Sequence, residues 1–322
     1  MGILLVSLEE KHLTAERREI LQTCSVTREV VFANTREEIL PFLDRIEVAL
    51  GKFPRDVLGM APNLVWFQQL GTGTEWLSNH PEAIEHPFML TNCSDDYGVV
   101  LAEHVMALIL AVARQLPEHF AAQQRREWGD PPFSDPRKFE LRGKNLLLVG
   151  VGSIGMEIAR RASGFAMHIS GLRSAPATAE APFERMYGSD QLPEALSNAD
   201  LVVNSLPLTP STRGFFDRQA IGHMKPGACF FNIGRGQTVD EAALIEALQS
   251  GRLAGAGLDV FAEEPLPSDS PLWGLSNVII TPHDGGNHDK RYESWVETVF
   301  DNLQRFSTGE PLRNVVDKRS GY

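Results

Sequence analysis

The sequence predicts an α/β protein with two doubly wound parallel sheets. Three observations carry that prediction. Short apolar runs alternate with polar, helix-compatible segments in two successive series; a glycine-rich turn, GVGSIG, stands between an apolar run and an amphipathic segment; and Arg235, Glu264 and His283 each follow a short apolar run. Strands alternating with helices need crossover connections, and these leave neighbouring strands parallel. At 322 residues the chain has length for two such units.

The first run, Ile3 to Val6, is too short for a signal-peptide core and reads as a strand. Runs at Glu29 to Ala33, Glu47 to Leu50, Leu64 to Gln68 and Phe88 to Thr91 continue the first series. The apolar stretch from Val99 to Ala113, interrupted by Glu103 and His104, falls short of a bilayer span and reads as a buried helix. Gln115 to Phe139, dense in charge and proline, reads as a surface excursion. The second series runs through KNLLLVG from Lys144, MHISGL, LVVNSLP, ACFFNIG, LAGAGLDV and NVIITPH. Within it, EAALIEALQSG puts Leu244, Ile245 and Leu248 on one helical face and ends at Gly251. After it, YESWVETVFDNLQRFSTG lines Trp295, Val299, Leu303 and Phe306 along one side and ends at Gly309.

The formal net charge of -12 disfavours nucleic acid or an anionic membrane surface as a main partner, a local basic patch aside. Cys24, Cys93 and Cys229 are odd in number and lack metal-ligand spacing. They read as free thiols of a cytoplasmic protein, and no metal site is expected.

Gly150, Gly152 and Gly155 of GVGSIG follow the run NLLLV and precede GMEIARRAS. Between a strand and a helix, such glycines allow a tight turn and close approach of a pyrophosphate to the helix N-terminus. About 20 residues on, where an NAD site would carry an acidic residue on the ribose, the chain has Arg173 and Ser174. No Asp or Glu occurs between Glu157 and Glu180. A guanidinium and a hydroxyl suit a 2′-phosphate, so NADP(H) is expected in preference to NAD(H), which stays open; the alternative is that Arg173 is a solvated loop residue. Arg235, Glu264 and His283 fall at or beyond strand C-terminal ends, the edge where open α/β sheets bind ligands.

With these residues in view, the chain resembles the D-isomer-specific 2-hydroxyacid dehydrogenase family, and within it the glyoxylate and hydroxypyruvate reductases. The likeness is dense from Gly143 to Gly286, in GVGSIG, SLPLTPSTRGFF, MKPGACFFNIGRGQTVDEAAL, GAGLDVFAEEPLP and NVIITPHDGG, and looser in LGTGTE, AEHVMALIL and GEPLRNVVD. It implies a Rossmann cofactor domain over residues 99–288 and a discontinuous, flavodoxin-like substrate domain over 1–98 and 289–322. It implies that Leu206, Pro207, Ile233, Gly234, Asp259, Gly285 and Gly286 line the cofactor site with Ser153, Ile154, Arg235 and His283. Asp259 would meet the nicotinamide carboxamide or be purely structural. Backbone amides around Gly71, Thr72 and Gly73 would hold the substrate carboxylate, and residues 99–139 would form a homodimer. NCSDDYG replaces the family's usual small hinge stretch, and Arg173 its usual acidic residue.

The resemblance also assigns chemistry: reduction of a small 2-oxo acid to a D-2-hydroxy acid. Arg235 would bind the carboxylate and polarise the 2-oxo group, and His283 would protonate the developing alkoxide. Glu264 would hold His283 and stabilise its imidazolium, favouring reduction on the acidic side of neutrality. Glu263 competes with Glu264, but only Glu264 immediately precedes the proline. His12, His80, His86, His119, His168, His223 and His288 read as surface or packing residues, and His104 as a satisfied helix residue. Two other readings stay open: a corepressor-like dinucleotide sensor, and a relative acting on phosphite or formate. The pocket-wall loops near Leu50 to Phe53, Leu70 to Thr74 and Trp273 to Leu275 leave the substrate side chain unnamed.

Overall fold

The computed structural model describes residues 1–25, 27–128, 137–174 and 178–321. Part of the expected surface excursion, residues 129–136, lies outside the described residues. The chain divides into two compact units, Met1–Asp96 with His288–Tyr322, and Tyr97–Asn287.

In the first unit the strands β1 (Gly2–Ser7), β2 (Arg28–Phe32), β3 (Ile46–Gly51), β4 (Trp66–Gln69) and β5 (Met89–Thr91) lie in the parallel order β2-β1-β3-β4-β5. This is the flavodoxin-like winding, which reverses direction between β1 and β3. Both faces of β1 are buried, Ile3 and Leu5 in one cluster and Leu4 and Val6 in another. A strand covered on both sides reads as a continuous apolar run, which is why ILLV shows no alternation. Helices α1 (Ala15–Cys24), α2 (Arg36–Ile39) and α3 (Pro81–Glu85) connect the strands.

In the second unit the strands are β6 (Asn145–Val149), β7 (His168–Leu172), β8 (Arg185–Tyr187), β9 (Leu201–Asn204), β10 (Cys229–Asn232), β11 (Gly255–Leu258) and β12 (Val278–Ile280). They pair in the order β12-β11-β10-β9-β6-β7-β8, all parallel. Winding reverses at β6, so the crevice between the ends of β6 and β9 is the topological switch point. Helix α4 (Gly98–Ala113) packs beside α6 (Ser153–Ser163), and α7 (Leu192–Asn198), α8 (Arg218–His223) and α9 (Glu241–Gln249) complete the layers. With its preceding turn, α4 has the length and apolarity of a membrane-crossing helix. Its burial identifies it as a core helix instead: Ala102, Val105, Leu108, Ile109 and Val112 pack with Leu146, Leu148 and Phe231.

The sequence reading differs from the structure at four places. Leu116–Arg125 is a helix, α5, rather than part of an excursion. Pro117 misleads there because proline is compatible with a helix's first turn. β8 is only three residues long, too short to give a pattern. So is β13 (Val315–Val316), which adds antiparallel to the free edge of β5. In α10 (Arg291–Thr308) the buried face runs through Val296, Val299, Phe300 and Leu303, a register centred one residue beyond Trp295. Gly309 closes that helix in the left-handed conformation, φ 74°.

Candidate active site

All the strands of the second sheet point the same way, so their C-terminal ends share one edge. The glycine turn follows β6, Arg173 and Ser174 follow β7, Leu206 and Pro207 follow β9, Ile233 to Arg235 follow β10, Asp259 and Glu264 follow β11, and His283 follows β12. Parallel winding thus gathers residues spread over more than 130 positions.

The glycine turn divides its work. Gly150 takes φ 97°, a left-handed conformation that turns the chain out of β6. A Cβ on Gly155 would sit 2.4 Å from the Gly150 carbonyl oxygen, so only glycine lets α6 pack this closely on the turn. A Cβ on Gly152 would meet nothing within 4 Å. Gly152 is the N-cap of α6 and offers no side-chain cap to the first amides, those of Ser153, Ile154 and Gly155. An uncapped helix N-terminus beside open space fits a dinucleotide pyrophosphate. The Arg173 side chain is exposed and makes no hydrogen bond or ion pair among the described residues, and Ser174 is exposed beside it.

Two buried polar networks hold the neighbouring loops. Asn204 Nδ2 donates to Asn232 Oδ1 at 2.9 Å and to Thr238 Oγ1 at 2.7 Å. Asn204 Oδ1 accepts the Leu206 amide at 3.1 Å, and Asn232 Oδ1 accepts the Gly234 amide at 3.1 Å. Thr238 Oγ1 in turn donates to the Arg235 carbonyl at 2.6 Å. The backbones of residues 206, 234 and 235 are therefore fixed by side chains with almost no exposure, and a buried network this fully satisfied resists deformation. Arg235 itself is half-buried, with Nη1 donating to the Gly234 carbonyl at 2.7 Å.

The second network belongs to Asp259, a 2 % exposed carboxylate. It accepts the Thr281 hydroxyl at 2.6 Å and the amides of Asp284 at 3.1 Å and Gly285 at 3.2 Å. His104 of α4 stands behind it, Nε2 3.1 Å from Thr281 Oγ1 and 3.7 Å from Asp259. Both Asp259 oxygens are thus engaged by the segment that carries His283. His283 has φ 53°, uncommon for a residue with a Cβ and held here by its anchored neighbours.

Glu264 Oε1 accepts the Phe261 amide at 2.9 Å, which orients the carboxylate. Its Oε2 lies 2.6 Å from His283 Nδ1. With Nδ1 occupied, Nε2 is the nitrogen left for substrate, and the imidazole is 46 % exposed and so reachable. Glu263, the competing carboxylate, makes no such contact. Arg235, Glu264 and His283 stand at the ends of three adjacent strands, β10, β11 and β12.

In the first unit, Gly71, Thr72 and Gly73 follow β4, also at a strand C-terminal end, with Gly71 at φ 79°. Sequence reasoning missed Asn204, Asn232, Thr238 and Thr281 as site residues and read His104 only as satisfied within its helix. A signal existed for two of them: LVVN and CFFN each end a buried run on an amide side chain.

A family model described as D-isomer specific 2-hydroxyacid dehydrogenase, NAD binding domain, matches residues 106–285. The D-3-phosphoglycerate dehydrogenase of Methanocaldococcus jannaschii is 34% identical over 293 residues, which cover 90% of this chain but only 55% of that protein. Glyoxylate/hydroxypyruvate reductase B of Yersinia pestis is 35% identical over 297 residues, 88% of each chain. A solved D-isomer specific 2-hydroxyacid dehydrogenase from Xanthobacter autotrophicus Py2, in complex with NADPH and MES, matches over 100% of both chains with a TM-score of 0.81 and 30% identity.

Proposed function

This chain belongs to the D-isomer specific 2-hydroxyacid dehydrogenase family, and from that premise we propose that it is an NADPH-dependent reductase of small 2-oxo acids of the glyoxylate and hydroxypyruvate kind, with His283 as its acid-base group. The observation that carries the reading is the 2.6 Å His283–Glu264 contact on the same sheet edge as the glycine turn. A bound nicotinamide dinucleotide supplies the hydride to the substrate's carbonyl carbon. The residues of this chain do the rest. Arg235 binds the substrate carboxylate and draws charge toward the 2-oxo oxygen. His283, held through Nδ1 by Glu264, delivers a proton from Nε2 to the oxygen as it becomes an alkoxide, and takes it back in the reverse direction. The amides of residues 71–73 hold the carboxylate of the substrate.

On the cofactor side, the amides at the start of α6 take the pyrophosphate, and Arg173 with Ser174 takes the 2′-phosphate, supported by a guanidinium that is exposed and has no partner among the described residues. Asp259 serves this site by holding the segment around Gly285 and Gly286. The proposed assembly is a homodimer through α4 and α5, where Val99 and Phe120 leave apolar side chains exposed. The three unbridged cysteines are in keeping with a cytoplasmic protein.

The reading is tested by following nicotinamide absorbance with NADPH and NADH against a panel of 2-oxo acids. Turnover of glyoxylate or hydroxypyruvate, with NADPH preferred, is expected. In Arg173→Asp the ratio of kcat/KM for NADPH over NADH should fall at least about tenfold. Cofactor binding with no turnover of any acid would favour the dinucleotide sensor, and oxidation of phosphite or formate alone would favour that other chemistry.

A further inference from the structure

Arg55, in the first unit, is a cation that the described residues leave without a counter-charge. Its guanidinium lies between two aromatic rings, 4.7 Å from the Phe67 centroid and 4.4 Å from that of Trp76. Nη2 donates to Gln69 Oε1 at 3.3 Å, while Nη1 is buried and has no hydrogen-bond partner among the described residues. No carboxylate pairs with it among the described residues, and the adjacent Asp56 is engaged by Arg36 at 2.9 Å. Burial pushes the guanidinium down to about 10, the mark of a charge the surroundings do not stabilise. Cation–π contact with two rings offsets only part of that cost.

What Arg55 touches gives it a use. Gln69, 1% exposed, accepts from Arg55 and from Trp76 Nε1 at 3.0 Å through its oxygen, which turns its amide nitrogen to donate to the Gly73 carbonyl at 2.9 Å. The two preceding carbonyls are tied down as well, Thr72 by Asn92 Nδ2 at 3.1 Å and Gly71 by the Cys93 amide at 3.0 Å. In a planar trans peptide the N–H points opposite to the C=O. The amides of Thr72, Gly73 and Thr74 are therefore turned away from these anchors, and none donates to another group of the described residues. Three successive amides left without an internal acceptor are available to an anion.

We propose that Arg55 is a positioning and specificity residue, the half-buried counter-charge for the substrate carboxylate, acting on the 71–74 loop through Gln69. This rests on the functional reading above, in which that loop holds the carboxylate. Arg55 does not touch the substrate; it raises the potential of the loop and fixes, through Gln69, the direction its amides face. A low-dielectric surrounding makes one such charge effective over the two hydrogen bonds that separate it from Gly73.

The test compares glyoxylate with its neutral methyl ester in the full-length enzyme. Arg55→Met keeps the stacked length and removes the charge, Gln69→Glu gives the guanidinium an internal partner and removes the donor to Gly73, and Arg55→Lys keeps the charge. In both Arg55→Met and Gln69→Glu, KM for glyoxylate should rise at least about tenfold, with KM for NADPH and kcat/KM for the ester within about threefold of wild type. Arg55→Lys should recover most of the loss. Unchanged KM for glyoxylate in either of the first two variants, or equal losses for acid and ester, overturns the proposal. If Arg55→Met fails to fold, Gln69→Glu decides by the same two readouts. A wild-type enzyme that reduces no 2-oxo acid overturns the functional reading itself, a result distinct from a wild-type enzyme whose variants leave KM unmoved.

Discussion

Gly152 and Gly155, three positions apart, are glycines for opposite reasons: the first faces open space, and the second is pressed against the carbonyl of Gly150. The contrast predicts opposite phenotypes. Gly152→Ala should leave the thermal midpoint within a couple of degrees of wild type, roughly the scatter of a neutral surface change, and weaken NADPH binding at least about tenfold. Gly155→Ala should instead destabilise the protein by about 1–3 kcal/mol, because its methyl has backbone to displace. Thermal melts with cofactor titration check both, and a Gly152→Ala protein that binds NADPH like wild type would remove the pyrophosphate from this turn. At this scale the sequence exposed the groups that end an apolar run, such as Arg235 and His283. It hid the groups that hold them, because Asn204 finds Asn232 28 positions away and His104 finds Thr281 177 positions away. Such pairings depend on strand order, which no local pattern encodes.

Among the elements, the turn into α4 carries a titratable group with a stability consequence. Asp96 is half-buried, and the Thr298 hydroxyl of α10 lies 3.1 Å from both of its oxygens. Burial raises its pKa above the ordinary carboxylate value, an effect the Thr298 hydrogen bond and Arg313 only partly oppose. The folded pKa then lies above the unfolded one, so this carboxyl's stabilising contribution is present at low pH and is lost as pH rises through the folded pKa. Asp96→Asn is therefore predicted to raise the thermal midpoint at about pH 7, with the gain shrinking toward about pH 4. Melts of the two proteins across that range check it; a variant less stable than wild type at neutrality would show that the ionised carboxylate is stabilising. Elements themselves were legible in proportion to length and coverage. The strands buried on both faces stood out as apolar runs, whereas β8 and β13, of three and two residues, left no pattern. Helix α5 was masked by a proline that its first turn accommodates.

For the whole molecule, two parallel windings each place loops of chemical interest at strand C-terminal ends. In the larger sheet the reversal between β6 and β9 puts the glycine turn at the switch point, and the ends of β10, β11 and β12 line up Arg235, Glu264 and His283 beside it. This order is what converts positions far apart in the chain into one edge. The alternation of runs predicted parallel sheets, but the sequence of strands across each sheet follows from which helices cover which face, and that is a packing outcome. The proposed acid-base role of His283 is tested most directly by single-turnover oxidation of bound NADPH on mixing with saturating glyoxylate or hydroxypyruvate, in wild type and in His283→Gln. The variant is predicted to bind NADPH as wild type does and to lose about 10²–10⁴-fold in the rate of reduction; reduction by His283→Gln at the wild-type rate would contradict it.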